Sequence, residues 1–128
     1  MVVDTSAITA ILANEADAES LEKRLLADPV RLISAATFLE LTIVIEGKFG
    51  EAGAHEFNTW FELAAIDIVP VDYALADVAR HAWRRFGKGR HAAALNFGDC
   101  FSYALAKARN QPLLFKGNDF SLTDITAA

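Results

Sequence analysis

One cysteine, Cys100, is the only thiol in 128 residues. No internal disulfide can form, and a thiolate zinc cage is excluded. The fold draws nothing from oxidation, which suits a reducing compartment, so a cytoplasmic location is expected. The 3 prolines and 7 glycines are scattered, and neither an internal repeat nor a low-complexity tract is present. No stretch reaches the ~18 apolar residues that span a bilayer, and Met-Val-Val-Asp, with neither a basic region nor a long apolar run, leads to the expectation that the protein is not secreted. Neither Gly-x-Ser-x-Gly nor Gly-x-x-x-x-Gly-Lys-Ser/Thr occurs, and Gly87-Lys88-Gly89 lacks the third glycine of a dinucleotide fingerprint. His55, His81 and His91 do not fall at metal spacing with one another or with Cys100. They read as surface or substrate contacts.

Acid is also missing from one long window. Between Val78 and Gly98 there are five bases (Arg80, Arg84, Arg85, Lys88 and Arg90), two histidines and no Asp or Glu. Since the chain has a net charge of -5, the remainder carries -10. A basic strip thus adjoins an acidic body, and the strip can track a polyanion although the average charge would repel one.

What is abundant is apolar side chain. A hydrophobic fraction of 53% and mean hydropathy of +0.23 exclude a disordered chain and fit one compact domain over residues 1–128. The apolar excess also points to surface covered by a partner or a second copy.

Val2-Val3 reads as a strand stopped by Asp4-Thr5-Ser6, residues that cap a helix. Helical spacing follows through Ile8, Ile11 and Leu12, then through Leu21, Leu25 and Leu26, and Asp28-Pro29 ends that element. Val30–Ile33 is a second strand. A helix opens at Ser34 and ends at Gly47, and another covers 52–65. Residues 66–71 form a third strand, stopped by Asp72. Helices over 74–86 and 97–109 precede a fourth strand, Leu113–Phe115, and a short fifth is expected near Asp124-Ile125. Strands alternating with helices predict an α/β fold, a three-layer α/β/α sandwich around a parallel sheet of four to five strands.

Ligands of such sheets collect at the carboxyl ends of the strands. Asp4 ends the first strand, and Asp119 follows the fourth by one turn. Glu40 sits among Ala36, Leu39, Leu41, Ile43 and Val44, which predicts an apolar helix side and a carboxylate in need of a positive partner. Asp99 lies in the first turn of its helix. Each acid also has a plain structural use: Asp4 as a cap, Asp99 as a complement to the helix dipole, Asp119 as a turn residue, Glu40 reaching to water. Grouped, they raise one another's pKa unless a cation neutralises them. An all-oxygen donor set points to Mg2+ or Mn2+ rather than zinc.

Four segments carry a resemblance: Val2-Val3-Asp4-Thr5-Ser6-Ala7, Thr37-Phe38-Leu39-Glu40-Leu41, Leu95-Asn96-Phe97-Gly98-Asp99-Cys100 and Leu113-Leu114-Phe115-Lys116-Gly117-Asn118-Asp119-Phe120. In that order they resemble the PIN-domain ribonucleases, and more narrowly the VapC-type toxins of bacterial type II toxin-antitoxin pairs, from Met1 to the Thr123-Asp124-Ile125 tail. The resemblance implies that Asp4, Glu40, Asp99 and Asp119 gather around one or two Mg2+ or Mn2+ ions, with Ser6 beside the first Asp. Gly117 and Asn118 stand where the family often carries a further Asp, leaving Asn118 and Asp124 as weaker contributors. It further implies RNA hydrolysis by metal-activated water, a cognate antitoxin and a toxin homodimer. Arg84, Arg85, Lys88 and Arg90 are then the RNA phosphate rail. Leu21, Leu25, Leu26, Trp60 and Phe61 either line an antitoxin groove or belong to the core.

Two other enzyme classes fit less well. A receiver domain would pair acids after its first strand, and a haloacid-dehalogenase-type phosphatase would place an acid where Ser6 stands. A catalytically silent RNA- or protein-binding module remains the alternative.

Overall fold

The computed structural model describes residues 1–128. Its elements are β1 (Val2–Val3), α1 (Thr5–Leu12), α2 (Ala18–Ala27), β2 (Leu32–Ser34), α3 (Ala35–Leu63), β3 (Asp67–Val69), α4 (Tyr73–Phe86), α5 (Phe97–Arg109) and β4 (Leu113–Leu114). A single 3-10 turn, Phe120–Leu122, follows. The four strands are all parallel, in the order β3-β2-β1-β4. The chain therefore leaves β1 toward one edge and later returns to its other side.

Period-two alternation sorts the sheet residues between two cores. Val3, Ile33 and Leu114 pack with Ile8, Leu21, Leu25, Leu41 and Phe57 from α1, α2 and α3. Val2 and Leu113 pack on the opposite face with Leu75, Phe86, Tyr103 and Leu105 from α4 and α5. Both faces of the sheet are covered by helices, so the fold is the expected α/β sandwich.

Two local expectations are corrected and one open alternative is resolved. The helix from Ser34 does not end at Gly47. It runs on to Gly50, whose φ of 67° breaks the ladder, and resumes to Leu63, because only a residue without Cβ takes that conformation cheaply. No fifth strand forms at Asp124-Ile125. Instead the tail bridges β4 at Ala127, where Leu113 donates to Thr126 and Ala128 donates to Leu113. Leu21 and Leu25 are buried to 1% and 0% exposure while Leu26 is exposed, so the first two are core and not groove. Trp60 and Phe61 pack at the rim of the same core, where the Trp60 indole donates to Glu22.

Candidate active site

Because β1 lies between β2 and β4, the strand order reverses beside it, and open parallel sheets form their crevice at such a point. Asp4 occupies that crevice. Its backbone N–H donates to Leu114 of β4, which fixes the residue at the end of β1. One carboxylate oxygen accepts from the Ser6 amide at 3.0 Å and the Ser6 hydroxyl at 2.6 Å. The capping role and the site role therefore coincide in one carboxylate. Ser6 is held in turn by the Lys116 amide, which donates to its hydroxyl at 3.1 Å.

The other Asp4 oxygen accepts from Ser102 Oγ at 2.6 Å. Ser102 is fully buried on α5, and Thr37 Oγ1 lies 3.4 Å from it and 2.8 Å from Ser34 Oγ. Each hydroxyl has one proton. Since Ser102 gives its proton to Asp4, Thr37 donates to Ser102 and Ser34 donates to Thr37. A directed chain of buried hydroxyls thus runs from the β2–α3 junction to Asp4.

Glu40 reaches the same crevice from the first part of α3. Its Oε1 accepts from Thr5 Oγ1 at 2.6 Å, and its carboxylate lies over Gly98 so closely that a Cβ there would sit 1.9 Å from Oε2. The glycine is required by this approach. The surroundings expected for Glu40 are corrected: Leu39 and Ile43 are exposed to 60% and 63%. The buried face of α3 is Thr37, Leu41 and Ile45, and Glu40 sits half-buried at its edge.

Asp99 is the third residue of α5 and closes a reciprocal cap. Its amide donates to Asn96 Oδ1, and its own Oδ2 accepts from the Asn96 amide, both at 2.8 Å. The carboxyl group is nevertheless raised to about 6. Burial is the largest cause, the Asn96 amide opposes it, and the charges of Asp4, Asp119 and Glu40 add to it. Asp119, exposed at the start of the 3-10 turn, makes no capping hydrogen bond. No Lys, Arg or His pairs with any of the four acids.

The four acids are grouped electrostatically, although no three acidic, imidazole or thiol groups converge into a closed cage. Adjacent Cys100 is buried, and its thiol is pushed up to about 11 by burial and then by Asp99. At neutral pH it stays protonated and is a poor nucleophile.

Other predicted residues are placed elsewhere. The Asp124 carboxylate accepts from Tyr103 at 2.6 Å, Arg85 at 3.0 Å and Lys107 at 3.3 Å, and these bonds, Tyr103 first, hold it below the usual carboxylate range. It ties the tail to α4 and α5, away from the four acids. Arg85 is therefore engaged, whereas Arg84 and Lys88 are exposed and unpaired and Arg90 stacks on Trp83. Asn118 is exposed, with no side-chain hydrogen bond within the chain. Thr5, Thr37, Gly98 and Ser102 are the residues that sequence reasoning missed. Only Ser102, the one small hydroxyl in Phe101-Ser102-Tyr103-Ala104-Leu105 one turn after Asp99, carried a visible signal.

The PIN domain family model matches residues 1–125. Ribonuclease VapC of Mycolicibacterium smegmatis is 58% identical over 127 residues, covering 99% of this chain and 98% of its own. Ribonuclease VapC30 of Mycobacterium tuberculosis is 56% identical over 125 residues, 98% of this chain and 95% of its own. Among solved structures, Mycobacterium tuberculosis VapC20, described as a sarcin-ricin loop cleaving toxin, superposes with a TM-score of 0.80 at 18% identity, covering 99% of this chain and 97% of that one. A toxin-antitoxin complex from Klebsiella pneumoniae gives 0.73 at 16% identity, with 99% and 95% covered. With the family model and two relatives above half identity agreeing over nearly the whole length, this chain belongs to the PIN domain family and, within it, to the VapC ribonucleases.

Proposed function

We propose that this protein is the toxin of a type II toxin-antitoxin pair, an endoribonuclease that hydrolyses RNA phosphodiesters with the help of Mg2+ or Mn2+. One observation supports the site assignment: no basic side chain pairs with Asp4, Glu40, Asp99 or Asp119, and the Asp99 carboxyl is pushed up to about 6, by burial first and then by the charges of the other three. The donor set is all oxygen, which fits a hard divalent cation that keeps much of its water.

Asp4, Glu40, Asp99 and Asp119 are the residues that would hold the ion. When bound, it supplies the Lewis acidity that makes water nucleophilic near neutral pH and offsets charge growing on the phosphate. The chain's own groups do the positioning. Ser6 and Ser102 fix the two Asp4 oxygens, Thr5 fixes Glu40, and Asn96 fixes Asp99. Arg84, Lys88 and Arg90 provide phosphate contacts, without which the acidic site would repel RNA. Arg85 joins them only by leaving Asp124.

The reading includes a cognate antitoxin, a homodimer and a cytoplasmic site of action beside the RNA. Leu39 and Ile43, exposed one turn apart on either side of Glu40, are apolar surface of the kind a protein partner covers. No helix is long and apolar enough to cross a membrane.

The test is cleavage of total bacterial RNA by purified protein with Mg2+ or Mn2+, with EDTA, and with Asp4→Asn and Asp99→Asn. Discrete products that vanish with EDTA and in both variants are expected. Variants that cut as well as wild type overturn the site assignment. RNA binding without cleavage under either metal makes the chain a silent binding module.

A further inference from the structure

On the side of α5 turned away from Glu40, a slot of about 420 Å3 opens between α4 and α5, lined by Ala76, Ala79, Arg80, Trp83, Phe97, Cys100 and Phe101. Its aromatic members are unusually open to water for their size. Phe97 is 80% exposed and Trp83 is 41% exposed. Phe97 meets Phe101 edge-on at 5.0 Å, and the Arg90 guanidinium lies 4.1 Å from the centre of the Trp83 ring. These contacts hold both rings in place without burying them.

We infer that this slot receives an unstacked base of single-stranded RNA, next to the nucleotide whose phosphate lies at the four acids; this rests on the ribonuclease reading above. Every nucleotide combines the flat apolar face of its base with a charged phosphate on its sugar. The slot offers the same pairing: flat rings inside, and around them Arg84 and Arg90 on the same basic strip, with Arg80 beside them paired to Asp77. Position agrees with chemistry. Phe97 and Asp99 share the first turn of α5, so slot and acids lie on two sides of one helix end, about 10 to 12 Å across. RNA is thus gripped by a base on one side while its backbone crosses to the other.

A second copy of this chain fits the slot poorly. Docked face to face here, two copies would oppose Arg84, Lys88 and Arg90, which no acid of the chain neutralises, and like charge opposes that pairing. Phe97 and Trp83 are specificity-determining positions by this account, not catalytic residues.

Trp83 supplies its own readout, since the chain has 2 tryptophans and Trp60→Phe leaves it alone. In a Trp60→Phe, Asp99→Asn background that does not cleave, short single-stranded RNA is titrated against an abasic strand of equal length. The expected result is saturable quenching of Trp83 by RNA, little quenching by the abasic strand, and about tenfold weaker RNA binding in Phe97→Ala. Phe97 is exposed, so the melting curve of Phe97→Ala should match its parent. Equal quenching by both strands, or RNA affinity untouched by Phe97→Ala, overturns the slot. A change that disperses an oligomer yet leaves RNA affinity unchanged also overturns it, in favour of a second copy. Wild-type cleavage is measured alongside: cleavage without quenching rejects the slot alone, whereas quenching without cleavage upholds the slot and rejects the nuclease reading.

Discussion

Replacing Asp99 by Asn should make the metal-free protein more stable while removing its cleavage activity. The folded chain raises this carboxyl from 3.8 to about 6, through burial first and then the charges of Asp4, Asp119 and Glu40. Between those values the folded state holds a proton that the unfolded chain has released, so stability falls as pH rises through the window. Above about pH 6 the folded state carries the full penalty of the ionised group. At full weight that penalty would be about 3 kcal/mol, but the group is only half-buried, and screening by water reduces it to about 1 to 2 kcal/mol. Asparagine keeps an oxygen to accept from the Asn96 amide, so the helix cap survives. With about 2.1 cal/mol/K of unfolding entropy per residue, each kcal/mol moves Tm by about 4 °C in this chain. Urea and thermal melts of both proteins in EDTA at about pH 7.5 should therefore show the variant ahead by about 4 to 8 °C, with the gap roughly halved near pH 5. Saturating Mg2+ should narrow the gap from the other side, by stabilising wild type more than the variant. A variant less stable than wild type at pH 7.5 would falsify the electrostatic account, because the carboxylate would then be holding the fold together.

Gly98→Ala places a methyl 1.9 Å from Glu40 Oε2; the flexible end of Glu40 can move aside, so melts should stay within about 1 kcal/mol of wild type while RNA cleavage drops at least about tenfold. Full activity in that variant would show that Glu40 is not needed where it sits. Ser102→Ala strips Asp4 of one donor and Thr37 of its acceptor, and urea denaturation should register a loss of about 1 to 3 kcal/mol. Leu25→Ala should cost about 2 to 5 kcal/mol in the same assay and Leu26→Ala under about 1, since Leu25 is fully buried and Leu26 is 52% exposed; equal costs would contradict the core assignment.

Local chemistry made much of this legible. Val2-Val3 before Asp4-Thr5-Ser6 announces a strand that ends in a cap, and Asp99 was legible as a first-turn acid, though its reciprocal cap with Asn96 was not read from the sequence. Burial on both sheet faces follows from the apolar strands, so the layer order was legible too. What stayed hidden depends on contacts between distant residues. Ser102 and Asp4 are separated by 98 positions, and Arg85 meets Asp124 across 39. No window along the chain records either pair. The need for Gly98 is set by a carboxylate on α3, and Leu21 and Leu25 are buried by a core whose walls come from two other helices, α1 and α3, and the sheet. Gly47 and Gly50 look alike as helix breakers in sequence, and the backbone conformation alone tells which one breaks the ladder.

The first strand made is one of the two interior strands of the sheet, and its second neighbour is nearly the last element of the chain. A chain emerging amino end first therefore holds β1 half-paired until Leu113 and Leu114 arrive, and Asp119 comes later still. Such late pairing is a slow, high-separation step. No amino-terminal fragment that stops before Asp119 holds all four acids, so on the proposed reading the site is incomplete until the chain is nearly finished.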